Sequence, residues 1–212
     1  MNVEIHIANS QYTGYSQEIC DLIYVSAQAR GTGIAKRSPD YVAEKMRTGN
    51  AVIALDGDKL VGFSYIETFS HKRFVANSGL IVHPDYRGQG IAKKIKFKIF
   101  ELSRKLYPDA KIFSITTGLA VMKMNSELGF KPVTYSELTD DEEFWKGCQT
   151  CRNYDILVRN NFKMCLCTGL LYDPVEEKEK QQQQQQQRPS NFAKKVVKPI
   201  VKKKAPNKIH KK

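Results

Sequence analysis

The residues with the most chemistry per position lie in Leu80-Ile81-Val82-His83-Pro84-Asp85-Tyr86-Arg87-Gly88-Gln89-Gly90-Ile91-Ala92. Gly88 and Gly90 have no side chain to obstruct an approaching anion. Arg87 supplies a cation suited to bidentate contact with a phosphate. Upstream is an apolar run closed by Pro84, which cannot donate to a sheet. Downstream, Ile91, Ile95, Ile99, Leu102 and Leu106 recur at helical spacing, with Lys93, Lys94, Lys96 and Lys98 between them. Strand, glycine turn and helix in that order aim backbone N–H groups and the helix dipole at one point. The chemistry is recognition of a pyrophosphate. Neither Gly-x-Gly-x-x-Gly nor Gly-Lys-Ser/Thr occurs, so the turn is not one of those two phosphate motifs.

A second group comes later. Cys148, Cys151, Cys165 and Cys167 read C-x2-C, thirteen residues, C-x-C. Two thiolate pairs joined by a hairpin would meet the needs of a tetrahedral, structural Zn²⁺ site with no open position. The other reading is four small buried hydrophobes packing that hairpin.

Elements must position these groups. Val3–Ala8 alternates as a strand, and Ile19, Leu22, Ile23 and Ala27 mark a helix over 16–29. A cationic loop follows, carrying Arg30, Lys36 and Arg37 among glycines. Ser38-Pro39 opens a second helix that Gly49 closes. Ala51–Leu55 and Leu60–Glu67 are strands joined through Asp56-Gly57. Val75–Val82 is the central strand. After the lysine-bearing helix come a strand at Lys111–Thr116, a short helix ended by Gly129, and a strand at Phe130–Tyr135. Thr139 and Glu142 fit a capping box ahead of Phe144 and Trp145. Strands near Tyr154–Val158 and Met164–Tyr172 finish the sheet. The order is α/β, a mixed sheet with helices on its faces.

The 212 residues suffice for one domain, 1–175, and a tail, 176–212. Seven glutamines and a lysine-rich end mark the tail as disordered. The net charge of +12 sits mostly there, because residues 181–212 contribute +10 and residues 1–180 only +2. A nearly neutral folded part argues against specific nucleic-acid binding, leaving weak, salt-dependent contact of the tail with polyanions. No apolar run spans a membrane and no export signal is visible, so the expected location is cytoplasmic, with reduced cysteines.

Arg87-Gly88-Gln89-Gly90-Ile91-Ala92 resembles the acyl-CoA-binding motif of the GNAT N-acetyltransferase superfamily, written Arg/Gln-x-x-Gly-x-Gly/Ala. Further segments, A-R-G-T-G-I-A-K-R-S-P, V-A-N-S-G-L-I-V, I-T-T-G-L-A-V-M-K-M-N-S-E-L-G-F and F-W-K-G-C-Q-T-C-R-N-Y-D-I-L, are similar to bacterial N-acylglutamate synthase-like acetyltransferases of arginine biosynthesis. The resemblance covers residues 1–174. It implies a GNAT fold and transfer of an acetyl or succinyl group from acetyl-CoA or succinyl-CoA to the amine of a small amino acid, glutamate first. A protein or polyamine acceptor, or a binding module docking through the basic tail, is the alternative.

The resemblance also assigns roles. The cofactor meets residues 87–92, and backbone groups of Ile81 and Val82 contact the thioester carbonyl and pantetheine. Many relatives have a tyrosine four residues before the glycine of Gly129-Phe130, where it protonates the departing sulfur. Here that residue is Asn125, which can hydrogen-bond the cofactor but supplies no proton. The amine must lose its proton, and Glu67 at a strand end is the first candidate base, His83 the second. Arg30, Lys36, Arg37 and Lys123 are candidates to hold an acceptor carboxylate; a plain solvated loop is the bland reading of the first three.

Overall fold

A computed structural model of the chain describes residues 2–30 and 35–186. Seven strands form one mixed sheet in the order β1-β2-β3-β4-β5-β7-β6. They are β1 (Val3–Ile7), β2 (Ala51–Asp56), β3 (Lys59–Phe69), β4 (Phe74–Val82), β5 (Lys111–Thr116), β6 (Lys131–Val133) and β7 (Thr168–Tyr172). Strands β1 to β4 run antiparallel, β4 meets β5 in parallel, and β5 and β6 both pair antiparallel with β7. The α/β expectation holds, and β4 is the central strand.

Alternation along the strands feeds two apolar faces. On one face, α1 (Ser16–Arg30) and α2 (Pro39–Arg47) bury Ile19, Ile23, Val42 and Met46 against Ile53, Phe63 and Ile81. Ser38 caps α2, with Pro39 at its first position, as its sequence predicts. On the other face, α3 (Ile91–Leu106) packs Ile91, Ile95, Ile99 and Leu102 on Val52, Val61, Ile66 and Val75. A short helix, α4 (Leu119–Glu127), lies after β5.

Three sequence expectations differ. Residues 154–158 are not a strand but part of α6 (Tyr154–Arg159), which follows α5 (Glu142–Lys146). A run of five with apolar Ile156, Leu157 and Val158 is too short for periodicity to separate helix from strand. The last strand starts at Thr168, not Met164. The cap of α5 is Asp141, whose carboxylate accepts from Glu143 N–H. Thr139 is engaged elsewhere, its hydroxyl 2.9 Å from that of Ser70, and Asp141 also accepts from Ser70 N–H. That pair anchors the β3–β4 turn, where Ser70, His71 and Lys72 all take positive φ.

Contacts divide the chain into Met1–Glu177 and Lys178–Lys212. The described part of the expected disordered tail is helical, since α7 runs over Pro174–Gln186. Pro174 starts it, Glu176 and Glu177 favour its N-terminus, and glutamine is a fair helix former. Residues 187–212 lie outside the described residues. No described helix is long and apolar enough to cross a membrane.

Candidate active site

The sheet is split at its centre. β4 and β5 pair only through Phe74–Lys111, Val75–Ile112 and Ala76–Phe113. Beyond that point β5 keeps β7 as its partner while β4 continues beside β3. On the β3 side the register slips by one between Phe63 and Tyr65, so β4 carries a bulge at Gly79 and Leu80. Gly79 takes φ +65°, and the Tyr65 ring fills the place of its missing side chain.

A cavity of about 500 Å³ occupies the split. Asn77, Ser78, Gly79 and Leu80 line one side, and Ser114 to Thr117 with Val121 the other. A strand-like ligand lying between two parted strands meets backbone groups that the sheet leaves unpaired. Ile81 and Val82, the sequence candidates for this contact, lie past the bulge and do not line the cavity. They pair with Phe63 and Gly62, and Val82 O accepts from Arg87 Nε at 3.1 Å. A glycine inside a strand pattern signals a bulge, so Gly79 was the available clue.

The glycine turn leads into α3 as expected. Gly88 and Gly90 have φ +77° and +76°, are exposed, and would meet nothing with an added Cβ. Glycine is needed there for backbone conformation and clearance, not packing. Gly90 caps α3 without any side-chain hydrogen bond, so first-turn N–H groups, those of Ile91 and Ala92 among them, have no intrahelical acceptor. Gln89 Nε2 donates to Asp85 O. Arg87 is exposed beside the glycines and is also tied to the fold. Its guanidinium donates to Val82 O and, at 3.1 Å, to Ser26 Oγ on α1. It braces the turn. His83 also serves the turn, Nδ1 accepting from Asp85 N–H at 3.4 Å, and it lies off the cavity.

The other end of the cavity holds Glu67. Tyr41 of α2 donates to Glu67 Oε1. Arg37 Nε donates to the Tyr65 hydroxyl at 2.7 Å, and the rings of Tyr41 and Tyr65 stand edge to face 5.7 Å apart. Burial, then the charge of Glu67, pushes Tyr65 up to about 12, and burial raises Tyr41 too. Both phenols stay protonated at neutral pH. Lys45 lies 4.9 Å from the centre of the Tyr41 ring, its pKa lowered by burial. Of the predicted substrate cations whose side chains are described, Arg37 alone reaches this cavity. Lys36 lines a second cavity beside α1 with Asp21 and Arg152. Lys123 is exposed on α4, and the Arg30 side chain and residues 31–34 lie outside the described residues.

Sequence reasoning missed Asn153. It is 7% exposed, lines the cavity, and its Nδ2 has no partner among the described residues. A buried donor left unpaired is costly, and no sequence signal marked it. Asn125 is fully buried, does not line the cavity, and has neither amide atom paired.

All four late cysteines line the Glu67 end. Yet no group of three or more His, Cys, Asp or Glu among the described residues is arranged to hold a metal, which corrects the zinc expectation. The hairpin it required is replaced by α6. Burial first, then the neighbouring cysteines, pushes the Cys148 thiol up to about 11 and that of Cys167 to about 12. Thiols so protonated pack as small apolar groups, and Cys148, Cys165 and Cys167 lie against Tyr135, Trp145 and Leu157.

Residues 47–117 match the family model for the acetyltransferase (GNAT) domain. Among curated proteins, none matches by sequence. Among solved structures, N-acetylglutamate synthase from Neisseria gonorrhoeae, complexed with coenzyme A and N-acetyl-glutamate, aligns with TM-score 0.58 at 19% identity over 82% of this chain and 35% of that one. This chain thus spans about a third of the synthase. A GNAT-family acetyltransferase from Staphylococcus aureus aligns with TM-score 0.58 at 14% identity, covering 82% and 99%. A chain of the NatC complex, bound to Gag peptide and CoA, aligns with TM-score 0.57 at 15% identity, covering 82% and 99%.

Proposed function

We propose that the chain is a CoA-dependent N-acyltransferase, as the match of residues 47–117 to the acetyltransferase (GNAT) domain model supports, and that it acetylates the amine of a small amino acid bearing a second carboxylate, glutamate first. The observation that supports this acceptor is a half-buried cation, Arg37, on the cavity that also holds Glu67 and Tyr41. Arg37 bonds the Tyr65 hydroxyl beside the Tyr41–Glu67 pair, and Asn153 lines the same cavity. A carboxylate there meets a cation suited to bidentate contact.

Roles follow from geometry. The exposed turn 88–90 and the first turn of α3 receive the phosphates. The thioester supplies an activated acyl carbon. The free backbone of the bulge at Leu80 is the candidate to polarise its carbonyl, in place of Ile81 and Val82. Glu67 takes the proton of the amine, directly or through one water. Tyr41, protonated, orients that carboxylate. Asn125, an amide, has no proton to deliver, so the sulfur leaves as thiolate, tolerable for a group titrating near about 8.5.

The test is purified protein with acetyl-CoA or succinyl-CoA against glutamate, neutral amino acids, spermidine and short peptides, following free thiol. Glutamate should be preferred. Arg37→Met should raise the KM for glutamate and leave that for acetyl-CoA unchanged. Equal rates with glutamate and uncharged amines overturn the assignment, and a preference for peptides moves the protein to another acceptor class. Arginine biosynthesis and a cytoplasmic location are part of the same proposal.

A further inference from the structure

The four lysines near the start of α3 are not equivalent. Lys93, Lys94 and Lys98 reach solvent, whereas Lys96 is 2% exposed. Its Nζ donates to Asn77 Oδ1 at 3.1 Å. Asn77 Nδ2 donates to Ser103 Oγ at 2.8 Å, and Ser103 donates to Ile99 O at 2.8 Å. Lys96 and Ser103 are seven residues apart, two turns along one helix stripe, so they grip one carboxamide from both sides. The Phe130 ring lies 4.9 Å from the ammonium. No carboxylate pairs with it among the described residues. Burial lowers its pKa to about 7.

An apolar side chain here would be more stable than a lone buried ammonium. The lysine therefore needs another reason, and Asn77 supplies its location. Ala76 is the last residue of β4 paired with β5, and Asn77 is the first beyond it. Asn77 also lines the cavity. The network thus clamps β4 to α3 at the point of divergence.

We propose that Lys96 is a positioning residue for the acyl donor, holding Asn77 so that the open edge of β4 is preset to receive the pantetheine arm. It touches no reacting atom and acts through Asn77. Protonation strengthens its hold, because a charged donor makes the stronger hydrogen bond. Donor binding therefore loosens as pH rises through neutrality.

The test uses the full chain and CoA itself. Calorimetry measures CoA binding from pH 6 to 9, and steady-state kinetics vary acetyl-CoA. Lys96→Met should weaken CoA binding on the order of tenfold, as expected for losing a hydrogen bond from a charged group. It should also abolish the pH step near neutrality while leaving the acceptor KM unchanged. Lys96→Gln keeps an N–H for Asn77 and should recover most of the affinity without the step. A folded Lys96→Met that binds CoA like the parent, with the parent's pH dependence, overturns the proposal. Should that variant not fold, lysine ¹³Cε titration of the parent decides. A Lys96 pKa that rises with CoA supports the role, and one that CoA leaves unmoved overturns it. Because CoA binding is scored apart from turnover, failure to find an acceptor bears on the acceptor assignment alone.

Discussion

The Tyr65 ring occupies the space that a side chain at residue 79 would need: a Cβ on Gly79 would stand 2.3 Å from Tyr65 Cε1. The bulge of β4 and the phenol that Arg37 grips are therefore one assembly, linking the split of the sheet to the Glu67 end of the cavity.

Gly79→Ala should disrupt both. Positive φ costs a residue with a Cβ about 1–2 kcal/mol, and the forced repacking about 1–3 kcal/mol more. The expected result is a folded protein losing roughly 2–5 kcal/mol in urea denaturation, with depressed turnover. Adding Tyr65→Leu should restore part of the stability and none of the turnover. A Gly79→Ala variant as stable and active as the parent would place the bulge elsewhere.

Glu67→Gln keeps the size and the partner Tyr41 but removes the base. A fall in kcat of about 10²–10⁴-fold is expected, with acetyl-CoA binding intact. Tyr41→Phe should cost less, because it disturbs only the orientation of the carboxylate. The check is single-turnover kinetics with saturating acceptor, and an unaffected Glu67→Gln rate removes Glu67 from the chemistry.

Gly90→Val tests the phosphate turn. Nothing lies within 4 Å of an added Cβ, so the damage comes from positive φ and from a side chain standing in the approach to the turn. CoA affinity should drop while melting changes modestly. The opposite pattern is expected of Arg87→Met, whose bonds go to Val82 and Ser26: lower stability first, affinity second.

Much of this arrangement could be read in the letters. Strand, glycine turn and helix around Gly88 and Gly90 were legible because each element has its own periodicity and its own breaker. The β2–β3 hairpin was legible in Asp56-Gly57 for the same reason. Other features depend on depth, which a single sequence does not carry. Lys96 has the same letter as Lys93, Lys94 and Lys98, and only its angular place on α3 buries it. The bond of Arg87 to Ser26 joins residues 61 apart in sequence. Cys148 to Cys167 matched a metal spacing, but spacing constrains ligands only if the intervening chain forms the assumed hairpin, and here it coils into α6.

The buried lysine gives a stability signature independent of activity. Its pKa is 10.5 as a free group and about 7 when folded. Below about 7 both states hold the proton, and the folded state bears the full cost of the enclosed charge. Between about 7 and 10.5 the unfolded chain binds more protons, so this residue makes stability rise with pH. Lys96→Met removes that slope. Its gain in melting temperature over the parent should be largest at pH 6 and smaller at pH 9, at roughly 2–4 °C per kcal/mol. A gain that does not vary with pH would mean that the lysine is already solvated.

The divided sheet has a mechanical consequence. Three residue pairs, Phe74 to Ala76 with Lys111 to Phe113, join β4 to β5, so a seam of the sheet runs along the cavity. A ligand lodged there acts as a temporary strand that stitches the two halves together. Occupancy and cohesion are then one quantity: melting temperature climbs with the logarithm of CoA concentration, and amide protons of β4 beyond Ala76 exchange fastest when the cleft is empty.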